Sequence, residues 1–446
     1  MKALICRIST RPHPDPKVTR IQVGICGGYR VIVGIDTPDG ALGILFPAGS
    51  QLHPEFCLRQ TLFRKHPNTG KKLGGYLCEK GRVRSIRLQG VESDGLWLPI
   101  DKIESLGDIS VLKEGMLVNQ IGTDWLCRKY VPNLRGSRKG SPGPRKAHKS
   151  SEYSNFREIG STGQLRNYLS TLPAGAIITI TEKLHGTSGR TGFHKRRRRR
   201  EELKNPLTRL LAKGVEWLVS KLPVEERDAE LDKFYGTIWE KVTGTRRTVL
   251  TNIPKQDRKQ GDYRRAIHDT LAPKKGETIY YEIVGYAGST STPIMARHSV
   301  ADKELKKQYG EQITYTYGLA LGQFEIYIYK ITETNLEGDE IVLSPAQMKA
   351  RAQAMGIKAV PHLETLVYDG QIEDMIDHLN GIADGPSTLD PSHPREGVCC
   401  WVQHPEMPSK VLKWKGFAFS LLEEIAYSDP NFSDIEEDDG VNEVAG

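Results

Sequence analysis

Two kinds of hydrophobic pattern divide the chain. Up to about residue 118 the apolar and polar positions alternate in short runs, QVGICGGYRVIVGID, GALGILFPAG and GRVRSIRLQGVESDGLWLP, broken repeatedly by glycine and proline. Alternation puts successive side chains on opposite faces of a strand, and frequent turn residues keep the strands short, so this stretch predicts a small β-barrel. From Glu152 the pattern becomes mixed. AIITITEKL, ETIYYEIVGY, FEIYIYKIT and KVLKWKGF read as strands. Leu207, Leu210, Leu211, Val215 and Leu218 share one helical face, with Pro206 acceptable in a first turn, so an amphipathic helix is expected to pack on this second domain through them. Between the two regions, Leu126 to Ser151 holds eight basic residues and no acid among Gly, Ser and Pro, the composition of a linker. The expected organisation is 1–118 as a β domain, 119–151 as a basic linker, 152–428 as a second domain and 429–446 as an acidic, disordered tail.

Charge sharpens this picture. The 446 residues sum to +8, but residues 429–446 hold seven acids and no base, so the rest of the chain carries +15. Such a body favours a polyanionic partner. Seven cysteines show no CxxC pair and no spacing with histidine that would hold zinc. No apolar run reaches the roughly 18 residues of a bilayer helix, and the N-terminus has no secretory core. No membrane partner is expected, and the expected location is cytoplasmic, a nuclear one remaining open. Lys195–Arg200 is a run of six bases whose role, whether phosphate contact, localisation signal or solvated loop, the sequence leaves open.

The chemistry concentrates in a few places. Thr181-Glu182-Lys183-Leu184-His185-Gly186 ends a strand on a glycine turn, where a lysine amine can face a pocket and Gly186 can let backbone come close to a nucleotide. Lys413 and Lys415, two apart on one strand, point the same way, and Trp414 points into core. Glu282 in YYEIVG and Glu396 in REGVCCWV place carboxylates at strand ends, where a hydrated divalent cation can be held. Cationic neighbours and partial burial are expected to favour the free amine of Lys183.

In this order, KxHG, an acid in an aromatic strand, a second aromatic strand, EGV and KWK, the motifs resemble the covalent nucleotidyltransferase superfamily of ligases and capping enzymes. More narrowly they resemble ATP-dependent RNA ligases with an N-terminal OB domain, over residues 1 to about 425, most weakly between Arg190 and Lys241. The resemblance implies an α+β chain: an OB-type β-barrel followed by an adenylyltransferase (ATP-grasp-like ligase) domain with antiparallel sheets and flanking helices. It implies Lys183 as the nucleophile that takes AMP from ATP, with His185 and Gly186 in the same motif and Glu182 beside the adenine. It further implies Arg246 or Arg247 on the ribose or phosphate, Glu282 as the acid of the third motif, and Tyr329 stacked on the adenine. Glu396, with Glu282, would hold Mg2+ or Mn2+, and Lys413 and Lys415 would contact the α-phosphate. The implied partner is RNA with 3′-OH and 5′-phosphate ends, and the implied role is RNA repair.

Histidine two residues after the lysine, where DNA ligases and capping enzymes usually carry aspartate, favours RNA. So does the short stretch of 31 residues after Lys415, too little for a C-terminal OB domain. His13-Pro14-Asp15 and the strands that follow resemble OB folds of the tRNA-binding type, with Arg82, Arg84 and Arg87 as candidate RNA contacts and Trp97 as either core or stacking platform. The alternatives are DNA ligation, GTP-dependent capping, and an RNA-binding protein without catalysis.

Overall fold

A computed structural model describes residues 2–122, 124–131, 153, 155–250, 261–287, 292–335 and 337–426. The acidic tail and most of the basic linker lie outside them. The architecture is α+β, with nearly every strand pairing antiparallel.

In the N-terminal region, Leu117–Val118, Ala3–Arg7, Leu42–Pro47 and Gly95–Pro99 form a four-stranded sheet. Ser9–Pro12, Ile21–Cys26 and Tyr29–Gly34 form a three-stranded one, its hairpin turned by Gly27 and Gly28, both with positive φ. Two-stranded pieces complete it. Among the described residues these pairings stay separate and close no ring, so the barrel expected from the sequence is present as antiparallel sheets only. Cys127–Lys129 pairs with Ser50–Leu52, which carries β structure past residue 118 and into the stretch whose composition reads as linker.

The second region is built on two sheets. One has the strand order Gly163–Gln164, Met407–Lys415, Gly397–His404, Ile177–Lys183, His362–Val367. Its core face buries Ile178, Ile180, Val398, Cys400, Leu412 and Trp414 against the helix Ile372–Ala383. The other runs Thr237–Gly244, Thr187–Arg197, Glu277–Gly285, Phe324–Thr334, Glu340–Val342, and packs Tyr281, Ile283 and Ile328 against the helix Pro345–Ala354. All four strands expected in this region are present.

One central strand escaped the hydrophobic pattern. Thr187–Arg197 (TSGRTGFHKRR) is polar, yet it pairs along its whole length, with Glu277–Gly285 over 187–192 and with Thr237–Gly244 over 190–197. Its bases are absorbed by acids. Arg196, with 1% of its side chain exposed, bridges Glu202 at 2.6 Å and also pairs with Glu240, while Arg197 reaches Asp232 at 2.6 Å and Asp228 at 3.4 Å. The first half of the Lys195–Arg200 run is therefore a strand end that clamps a helical hairpin, Pro206–Val219 and Val224–Tyr235.

That hairpin contradicts the expected packing. Ala212 and Val219 face Leu203 and Tyr235, but Leu207, Leu210, Leu211 and Leu218 are 60–72% exposed. The neighbouring helix covers a different arc from the one that leucine spacing suggests.

The N-terminal arginines also meet acids. Arg82 is 3% exposed, bridges Glu424 at 2.8 Å and stacks on Tyr130; Arg84 is 3.9 Å from the same carboxylate; Arg87 reaches Asp302 at 3.6 Å. Together with Arg166–Asp94 at 2.9 Å, they join the two regions. Trp97 is core.

Candidate active site

The strand Ile177–Lys183 lies between two partners, Gly397–His404 and His362–Val367, so its backbone is fixed from both sides. Ile178 and Ile180 fill the core, and the opposite face carries Thr179, Thr181 and Lys183. Lys183 pairs with Gly397, which pairs with Lys415, and Thr181 pairs with Cys399, which pairs with Lys413. The three lysines thus share a sheet face, as the two-residue spacing predicts. Gly397, between Lys183 and Lys415, holds positive φ, and a Cβ there would meet the Trp414 carbonyl at 2.3 Å. It keeps the lane between the two amines bare, a role the sequence reading did not assign.

Leu184, His185 and Gly186 then carry the chain into the second sheet. Gly186 is tightly packed: a Cβ would lie 2.3 Å from the Ile283 carbonyl oxygen. The His185 backbone N–H donates to the Tyr317 hydroxyl at 2.6 Å, and its ring sits among His298, Tyr315 and Phe419. His185 Nε2 is 3.2 Å from His298 Nε2. Burial and the neighbouring His185 push His298 down to about 3, so it is neutral at ordinary pH. The sequence reading missed His298 and Tyr317, which lie more than a hundred residues beyond the motif they support.

Glu396 is the electrostatic centre. Its Oε1 is 2.6 Å from Lys183 Nζ and its Oε2 is 3.5 Å from His185 Nδ1. Burial works to raise its pKa, but Lys183, His185 and Lys415 together hold it well below the usual carboxylate range. Beside the expected cations, Lys183 thus has an acid as its near charged neighbour, Glu396. Lys415 is itself held by Glu423 at 2.6 Å, and although burial opposes it, the Glu423 and Glu396 charges raise its pKa.

Across the cleft, Glu282 sits in a wholly buried strand and accepts a hydrogen bond from Ser188 Oγ at 3.1 Å. Tyr329 falls where the pairing between Glu277–Gly285 and Phe324–Thr334 slips by one residue, and this bulge sets it apart from the regular alternation. Glu182 Oε2 accepts from the backbone N–H and hydroxyl of Thr388 at 2.9 and 2.5 Å, while Oε1 is buried with no hydrogen-bond partner among the described residues. Arg246 and Arg247 lie in a turn after Thr237–Gly244, not on a strand, so the alternation rule does not separate them and both reach the cleft.

A single cleft of about 1070 Å³ is lined by Glu182, Lys183, His185, Arg246, Arg247, Glu282, Tyr329, Glu396, Lys413 and Lys415. Of the residues singled out from sequence in this region, Gly186 alone stays out of its wall. The volume suits a nucleotide, and the wall offers cations for phosphates, an aromatic for a base and two carboxylates for a hard cation. Among the described residues no three acidic, histidine or cysteine side chains converge as a ready metal cage.

No curated protein sequence matches the chain. Solved structures of Naegleria gruberi RNA ligase do. The form with pyrophosphate matches with a TM-score of 0.52 at 16% identity, covering 95% of this chain and 98% of that one. A mutant with ATP and Mn matches with a TM-score of 0.53 at 16% identity, covering 94% and 98%, and another with AMP and Mn with 0.52 at 15%, covering 94% and 97%. At such identity the likeness establishes a shared fold. The sequence itself carries the family: the RNA ligase profile matches residues 176–415. That span opens one residue before the strand of Lys183 and closes on Lys415, taking in the strands that carry Lys183, Glu282, Tyr329, Lys413 and Lys415, and the chain belongs to the RNA ligase family.

Proposed function

We propose that the protein is an ATP-dependent RNA ligase that joins 3′-OH and 5′-phosphate RNA ends, with repair of broken RNA as its role. The observation that carries this is Lys183, its Nζ 2.6 Å from Glu396, in a cleft it shares with Lys413, Lys415, Glu282 and Tyr329. Lys183 Nζ attacks the α-phosphorus of ATP, the bond to pyrophosphate breaks, and a lysyl-AMP phosphoramidate forms. A protonated amine has no lone pair, so Glu396 must release Lys183 before attack. Lys413 and Lys415, two strands away on the same face, meet the charge growing on the phosphate oxygens. The AMP then passes to a 5′-phosphate, and the 3′-hydroxyl displaces it as the strands join.

Glu182 supports ATP over GTP. Its buried acceptor Oε1 suits the amino group of adenine and repels the carbonyl oxygen that guanine presents at that position. Tyr329 offers a stacking face and Arg246 or Arg247 a contact to ribose or phosphate. Glu396 and Glu282 fit a magnesium or manganese ion held largely through water, which supplies positive charge at the phosphates when bound. The N-terminal sheets, to about residue 118, are read as an OB-type RNA-binding domain, and residues 152–428 as the adenylylating one. The solved Naegleria gruberi relatives with ATP and Mn support the same nucleotide and metal class.

Incubation with α-labelled ATP and magnesium is expected to label the protein covalently, and Lys183→Ala is expected to abolish the label. Label on the Lys183→Ala variant, or equal label from GTP, defeats the reading. Sealing of nicks with ribose on either side of the break then separates RNA from DNA joining.

A further inference from the structure

The helix Pro206–Val219 is amphipathic twice over. Asn205 caps it by accepting from the Leu207 N–H, and its docked arc, Ala212 and Val219, meets Leu203 and Tyr235. A second apolar arc faces away: Leu207 is 67% exposed, Leu210 72%, Leu211 60%, Trp217 62% and Leu218 62%. Their spacing of three, four, ten and eleven residues from the first member is that of a helix–helix seam, and Gly214, seven residues from it, falls at its middle. A Cβ on Gly214 would meet nothing within 4 Å. Charged Arg209, Lys213 and Glu216 occupy the remaining face.

We propose that this stripe is a self-association surface, on which two copies of the chain pair helix to helix about a two-fold axis. The five large side chains present on the order of 700 Å² of apolar surface, more than the largest patch of a typical monomer. A two-fold pair of stripes would bury about 1,400 Å² in total, within the range of stable specific interfaces. Gly214 supplies a gap for a bulky side chain of the facing helix, and an isologous contact uses that gap on both sides at once.

Charge points the same way. The helix and its flanks Lys204 and Lys221 are net basic, while Val224–Tyr235 alongside is net acidic even with Arg227 and Lys233 counted, its Asp228 and Asp232 already held by Arg197 and its Glu230 by Lys233. Turned by half a revolution, such a hairpin sets a net basic helix beside a net acidic one. An anionic lipid surface would meet those acids beside the stripe. The hairpin also sits at the far end of the 11-residue strand Thr187–Arg197 from Lys183, about 35 Å at the rise of a strand, so pairing leaves both clefts open.

The test is the mass of the full chain in solution by sedimentation equilibrium, from about 0.5 to 50 µM, the span over which a modest helix-mediated dimer assembles. The wild type is expected to dimerise. Leu210→Glu with Leu218→Glu is expected to raise the dissociation constant more than 100-fold while the helical circular dichroism and the rate of covalent labelling by ATP stay unchanged. Gly214→Leu guards against misfolding: it raises helix propensity yet fills the gap, so the expected result is a higher melting temperature with association weakened about 10-fold. A wild type that stays monomeric throughout overturns the proposal. So does a dimer indifferent to both sets of substitutions, or a monomer that sediments with phosphatidylserine vesicles, which would assign the stripe to lipid.

Discussion

The cleft and the far end of the strand Thr187–Arg197 are both rich in cations, and they use them in opposite ways. At the strand end Arg196 and Arg197 arrive together in sequence, and each meets two acids from the adjoining strand, turn and helix. In the cleft Lys183, Lys413 and Lys415 come from two strands more than two hundred residues apart and converge on one face. A run of like charges must be neutralised locally if it is to fold, whereas isolated lysines collected by a sheet can be held at a cavity wall. Density of charge along the chain is therefore a poor guide to where it acts.

The contrast can be broken by substitution. Glu396→Ala removes the acid that holds Lys183 and His185, and covalent labelling by ATP should fall by about 100- to 1,000-fold, with melting temperature as the control. Arg82→Ala removes the 2.8 Å bridge to the buried Glu424; a loss of about 2–4 kcal/mol in denaturant unfolding is expected, while RNA affinity of the folded variant keeps its salt dependence. If Arg82 were an RNA contact, that salt slope would drop by about one. Arg196→Ala should cost about 2–3 kcal/mol and leave labelling untouched, since its two carboxylates are partly exposed and can rehydrate.

The smallest effect is a pH dependence. Burial raises Asp384, which accepts from the Ala418 N–H at 2.8 Å, from its ordinary value to about 7. The folded state keeps a proton that the unfolded chain gives up, so this contribution is full below about pH 4 and is lost as pH rises through 7. Asp384→Asn should flatten that slope and leave the variant more stable at pH 8 by on the order of 1 kcal/mol.

Much of the site was legible because strand periodicity is short-ranged. Two-residue spacing put Lys413 and Lys415 on one face and Trp414 in the core, and the four apolar-rich strands were read in place. What escaped depended on partners distant in sequence. The strand Thr187–Arg197 has too few apolar residues to announce itself, and Arg196 and Arg197 are made tolerable by Glu202, Glu240, Asp228 and Asp232, Arg190 by Phe156. His298 and Tyr317 carry no local signature. The leucines at 207, 210, 211 and 218 gave the right helix and the wrong buried face, because an apolar arc says that a surface wants cover and not what covers it.

Only Leu184, His185 and Gly186 separate the end of one sheet at Lys183 from the start of the other at Thr187. The lysines ride on the first sheet, and Glu282 and Tyr329 on the second. Any occupant long enough to touch a lysine and the tyrosine together therefore bridges both sheets.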